Sequence, residues 1–174
     1  MLSPNDPVLS TKFVRFKVKE DTWFYAYDSY ASKTFTSKTT TGIYSPIELD
    51  SEFELKAYKK DWFDFILRKN KMKTGNRQAD SKLTITCTEN AIPQTLITKG
   101  EAEIFEKLEE LVSPIFLLIE KDYILTIEEL KDKMVVGLEV NGWIYKEIQI
   151  DNFIDPGITL LNRLKRNARA NDSI

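Results

Sequence analysis

Apolar residues fall at Ile104, Phe105, Leu108, Leu111 and Val112, in a stretch whose other positions are mostly Glu and Lys. Steps of three and four line one face of an α-helix and turn Glu103, Glu106, Lys107, Glu109 and Glu110 toward water. Thr98 supplies the start, because Glu101 three positions on can reach back to the cap's own N–H while the threonine hydroxyl accepts from the first turn. Pro114 stops the helix. The pattern then changes to two short apolar runs, residues 115–119 and 123–127, parted by polar Glu120-Lys121-Asp122. This predicts two buried antiparallel strands under the helix.

Elsewhere the period is two. Val14, Phe16 and Val18 alternate with Arg15, Lys17 and Lys19, which predicts a strand with one buried face. After a Glu20-Asp21 turn, the aromatic run 23–27 completes an opening hairpin. Residues 29–41 are rich in Ser, Thr and Lys and read equally as a third, edge strand or as a long mobile loop. Ile47 and Leu49, then Phe53, Leu55 and Ala57 set against Glu52, Glu54 and Lys56, predict two more strands hinged near Asp50-Ser51. Asp61 opens two helical turns carrying Trp62, Phe65 and Ile66, followed by basic Arg68-Lys69-Asn70-Lys71. Thr74-Gly75-Asn76 is a turn, and Leu83, Ile85 and Cys87 share one face of a strand over 82–88.

Residues 134–140 predict a further strand. The Asn141-Gly142 pair suits a type I′ hairpin turn, and Trp143, Tyr145, Ile148 and Ile150 would form its return. Pro156-Gly157 would break that strand. Ile158, Leu160, Leu161 and Leu164 are spaced for a last amphipathic helix, with Arg163, Lys165, Arg166 and Arg169 toward its C-terminal end, where the dipole favours cations. The fold class expected is α+β: a mostly antiparallel sheet holding the strands 82–88, 115–119, 123–127 and 134–140, with a central amphipathic helix and a C-terminal helix. The 174 residues suffice for one core. A single domain over 1–174 is expected, made of a loose arm (1–11), a strand-rich part (12–58) and a helix-and-sheet part (59–174).

Composition narrows the chemistry. Hydrophobic residues make up 42% and charged residues 30%, as in ordinary globular chains. There is no histidine, which removes the commonest general base, the usual activator of a Ser or Cys nucleophile and the commonest transition-metal ligand. The one cysteine, Cys87, allows neither an internal disulfide nor a multi-cysteine metal site, and its alternation with Leu83 and Ile85 places it in the core. The glycines are too scattered for a phosphate loop or a dinucleotide fingerprint. Carboxylate pairs such as Asp61 with Asp64, or Asp151 with Asp155, are no denser than 27 acidic residues would produce by chance. No cofactor or metal is expected. No basic-then-apolar leader opens the chain and no eighteen-residue apolar run occurs in it, so the expected setting is cytoplasmic, with peripheral membrane association left open.

The run 73–85, Lys-Thr-Gly-Asn-Arg-Gln-Ala-Asp-Ser-Lys-Leu-Thr-Ile, resembles a motif of uncharacterised bacterial domains in which Thr-Gly-Asp is followed by Phe-Asp and a strand. The likeness extends over about residues 42–130, including the acidic helix and hydrophobic hairpin. Asn76 stands where Asp is usual, and Ala79 and Leu83 where Phe is usual. The resemblance implies an order of elements and carries no catalytic residue.

Charge is unevenly spread. Residues 56–77 hold Lys56, Lys59, Lys60, Arg68, Lys69, Lys71, Lys73 and Arg77 against only Asp61 and Asp64. Residues 99–133 hold five basic and ten acidic groups, although the whole chain is only −2. Tyr58, Trp62, Phe63 and Phe65 interleave with the basic residues, as on surfaces that grip an acidic partner, stack bases or lie on anionic lipid. The sequence therefore points to a non-enzymatic binding protein of immunity, adaptor or regulatory type. Its expected contact surface is the 56–77 segment, with Trp62 or Phe63 partly exposed. The alternative is a nucleic-acid or anionic-membrane binder using that segment. A carboxylate-dependent hydrolase is the third reading, and it needs three or more carboxylates in one pocket.

Overall fold

The computed structural model describes residues 13–31, 36–60, 71–88 and 96–171. The strands are β1 (Phe13–Lys19), β2 (Thr22–Ala31), β3 (Thr36–Pro46), β4 (Leu55–Lys59), β5 (Lys71–Met72), β6 (Leu83–Cys87), β7 (Ile115–Lys121) and β8 (Met134–Asn141). They form one sheet in the order β1-β2-β3-β8-β7-β4-β6-β5, with every pairing antiparallel. Three helices, α1 (Arg77–Lys82), α2 (Lys99–Leu111) and α3 (Glu147–Asn171), complete the α+β fold among the described residues. No helix among them is long and apolar enough to cross a membrane.

The main core lies between the sheet and α2 and α3, where Phe24, Ile43, Leu117 and Leu138 meet Phe105, Leu108, Phe153 and Leu161. The opposite face holds a smaller core of Tyr25, Tyr27, Tyr44, Leu118 and Val135. It is roofed by Tyr123, Ile124, Ile127 and Leu130 from the connection between β7 and β8.

The α2 capping box forms as its sequence predicts: Glu101 accepts from the Thr98 N–H at 3.0 Å and Gly100 donates to the Thr98 hydroxyl. Its buried face is rotated from the expected one. Leu111 is 50% exposed, while Glu109 is buried, accepting from the Ser113 hydroxyl at 2.6 Å and the Ile115 N–H at 2.7 Å. The chain turns sharply into β7 here, and the Glu109 carboxylate serves an N–H that the turn leaves unpaired.

Other expectations give way to the competition for ladder positions. Residues 123–127 are not a strand. Both flanks of β7 are occupied, by β8 and β4, so this apolar run instead folds over the back of the sheet through a 3₁₀ turn, Glu128–Leu130. The expected return strand after Asn141-Gly142 fails likewise, because β8 already lies between β3 and β7. Gly142 still takes a positive φ of 114°, but the chain then leaves the sheet and enters α3 at Glu147, with Tyr145 and Ile148 exposed. Pro156 lies inside that helix and does not end it.

Of the region 29–41, residues 29–31 end β2 and 36–41 open β3, an interior strand, while 32–35 lie outside the described residues. Ile47 and Leu49 follow β3 and belong to no strand. Asn76, read only as a turn residue, caps α1 by accepting from the Gln78 and Ala79 N–H groups. The helix expected from Asp61 to Ile66 lies outside the described residues.

Candidate functional site

β1 ends the sheet, and among the described residues no strand pairs with its outer edge. Cross-strand partners share a face of the sheet. Phe13, Arg15 and Lys17 stand opposite Tyr27, Tyr25 and Trp23 on the tyrosine face, and Val14 and Phe16 stand opposite Ala26 and Phe24 on the helix face. The expected buried face of Val14, Phe16 and Val18 forms only in part: Val18 is half-buried against the main core, while Val14 is 49% and Phe16 42% exposed, and Phe13 on the other face is 54% exposed. The described helices cover the middle of the sheet and, among the described residues, leave Phe13, Val14 and Phe16 in contact with solvent at this margin. Phe16 stacks on Phe24 with centroids 4.8 Å apart, and Phe13 meets Tyr25 edge-on at 6.2 Å. Phe13 and Phe16 are thus held in place while still meeting solvent.

Of the residues expected to form a contact surface, the structure brings together Lys60, Lys73 and Arg77, which line a shallow cleft of about 420 Å³ beside Gly75, Asp80 and Ser81. Asp80 faces the three cations here, with one carboxylate oxygen accepting from the Thr74 N–H at 2.8 Å and the Thr74 hydroxyl at 2.9 Å. Lys59 borders a different cleft with Tyr58, Glu109 and Phe116, which Lys60 also reaches. Lys56 lines a third, with Glu54, Thr86 and Cys87. Lys71 lies in β5. Trp62, Phe63, Arg68 and Lys69 lie outside the described residues.

A second basic cleft, of about 480 Å³, opens where α3 passes the β1–β2 turn and is lined by Lys19, Lys165, Arg166 and Arg169 with Glu20 and Asp21. Its cations are partly engaged: Lys165 pairs with Asp21 and donates to the Ser45 hydroxyl, and Arg169 pairs with Glu48 at 3.2 Å. Burial works against the Asp21 charge, but the Lys165 partner outweighs it and holds this carboxyl below its usual range.

Beneath the tyrosine face lies a buried acid. Glu139 is 6% exposed and accepts a hydrogen bond from the Tyr44 hydroxyl at 2.8 Å and another from Tyr123. The Tyr44 ring needs room to cross the sheet, and Gly42 and Gly137 provide it: a Cβ at either would come within 2.6 Å of Tyr44 atoms. Burial pushes the Glu139 carboxyl above its ordinary value, although the two hydroxyls and the charges of Lys38 and Lys56 pull the other way. Burial and this neighbouring carboxylate also raise Tyr27, Tyr44 and Tyr123 above the usual phenol range. Through the Tyr44 and Tyr123 hydroxyls this carboxylate ties the roofing connection to β3 and β8.

Asp151 and Asp155 are exposed on α3, and Asp61 and Asp64 lie outside the described residues. Among the described residues no group of three or more Cys, Asp or Glu side chains is placed to hold a metal ion. Sequence reasoning passed over both β1 as a surface and Glu139. The signals were present: cations at every second position of an opening strand, which turn that face toward solvent, and a lone carboxylate within an otherwise apolar strand. Comparison with protein-family models, curated proteins and solved structures gives no match.

Proposed function

We propose that this protein acts by binding another protein through the edge strand β1, in an adaptor, immunity or regulatory role without covalent chemistry of its own. The observation that carries the reading is the exposure of Phe13, Val14 and Phe16 on a strand whose outer side is unpaired among the described residues. An open strand edge beside exposed apolar side chains is a ready template for pairing with another chain. Removing the apolar contacts tests it. Phe13→Ser/Val14→Ser should retain far less partner from a native extract than wild type, with the folded state weakened by no more than about 1 kcal/mol, as for surface positions. Equal retention by both proteins would contradict it.

A second reading, polyanion binding, is favoured by one feature: among the described residues three cations, Lys60, Lys73 and Arg77, converge on a cleft with a single acid, Asp80. Binding there would weaken steeply with added salt, whereas binding at an apolar edge would not.

A further inference from the structure

We propose that the outer edge of β1 takes a ninth strand, an extended segment of a partner protein in which acidic and apolar residues alternate. This rests on reading β1 as the protein-binding edge and specifies what occupies it. The β1–β2 ladder is regular from Phe13 to Lys17 and shifts register between Lys17 and Lys19, so the template offered outward is five residues, about 17 Å of strand. Across such an edge, main-chain hydrogen bonds supply attachment and alternate side chains supply selection.

The selection is written in β1. A strand laid beside it sets alternate residues against Arg15 and Lys17 on the tyrosine face, and the residues between them against Val14 and Phe16 on the helix face. Opposite charges stabilise directly facing pairs and like charges destabilise them, so the first set should be acidic and the second apolar. Both cations are held at the margin. Arg15 donates to the Thr126 carbonyl and keeps further guanidinium N–H groups for a carboxylate. The Lys17 ammonium lies 5.8 Å from the centre of the Trp23 ring.

The same charges argue against a second copy of this chain. Antiparallel self-pairing centred on Phe16 would place Arg15 against Lys17 twice, and pairing centred on Arg15 or Lys17 would place each against itself. An acidic strand removes the conflict that a copy would create.

The test uses the full chain and an end-capped Glu-Val-Glu-Val-Glu peptide, followed by backbone amide NMR and hydrogen exchange. Expected are shifts concentrated on residues 13–17, with slowed exchange at alternate β1 amides as outward N–H groups gain partners. A peptide of the same composition ordered Glu-Glu-Glu-Val-Val, or one N-methylated at alternate positions, should bind markedly less. Arg15→Glu/Lys17→Glu should weaken the alternating peptide by about tenfold and favour a Lys-Val-Lys-Val-Lys peptide instead. The proposal is overturned if order and methylation make no difference, if the shifts fall on Lys60, Lys73 and Arg77, if a single-stranded oligonucleotide competes for β1, or if the free chain dimerises through this edge. Any of these with partner retention still dependent on Phe13 and Val14 would remove the acidic strand and leave β1 as the binding surface. Loss of that dependence would remove both.

Discussion

Glu109 and Glu110 are neighbours on α2 and meet opposite surroundings, Glu109 buried against the Ile115 N–H and Glu110 exposed. Truncating Glu109 strands a buried donor, so Glu109→Ala should cost about 1–3 kcal/mol by urea unfolding. Glu110→Ala should stay within about 0.5 kcal/mol. Glu139 makes a different prediction, because its effect depends on pH. The folded protein holds this proton more tightly than the unfolded chain does, so the contribution to stability is complete below the usual glutamate value and is lost as pH rises through the raised one. Glutamine cannot ionise. Measured by thermal unfolding between about pH 4 and pH 8, Glu139→Gln should therefore gain on wild type as pH rises. A constant offset between the two proteins would show that Glu139 ionises no differently in the fold.

At the scale of elements, the test of α2 is its rotation. Leu108 is fully enclosed and Leu111 half exposed, so Leu108→Ala should cost about 2–5 kcal/mol and Leu111→Ala much less. Equal costs would mean the helix presents another face. The capping box, the heptad-like spacing, β6, β7 and β8 were legible because each is fixed by residues near in sequence. What was not legible was which apolar runs obtain a place in the ladder. Residues 123–127 and 143–150 have strand composition, but the sheet fills the flanks of β7 and β8 with β4 and β3, which come from distant parts of the chain. Asn76 as a helix cap and Glu109 as a buried acceptor depend on turns no short-range pattern specifies.

Across the whole molecule, burial is graded. The centre of the sheet is covered on one face by α2 and α3 and on the other by the connection carrying Tyr123 and Leu130, while Phe13, Val14 and Phe16 at the β1 margin stay exposed. The sequence showed cations alternating with apolar residues in β1 but could not show that Val14 and Phe16 stay exposed, since coverage is a property of the assembled fold. The charge asymmetry of 56–77 was legible too, yet its members divide among separate clefts, with Lys60, Lys73 and Arg77 meeting in one. The most direct measurement places a photo-crosslinking benzoylphenylalanine at Val14 in one protein and at exposed Glu110 in another, irradiates each in native extract and compares the adducts. Binding through β1 predicts a discrete protein adduct from position 14 that is missing from position 110 and is competed away by unlabelled wild-type protein. No adduct at position 14, or the same adducts from both positions, would contradict it.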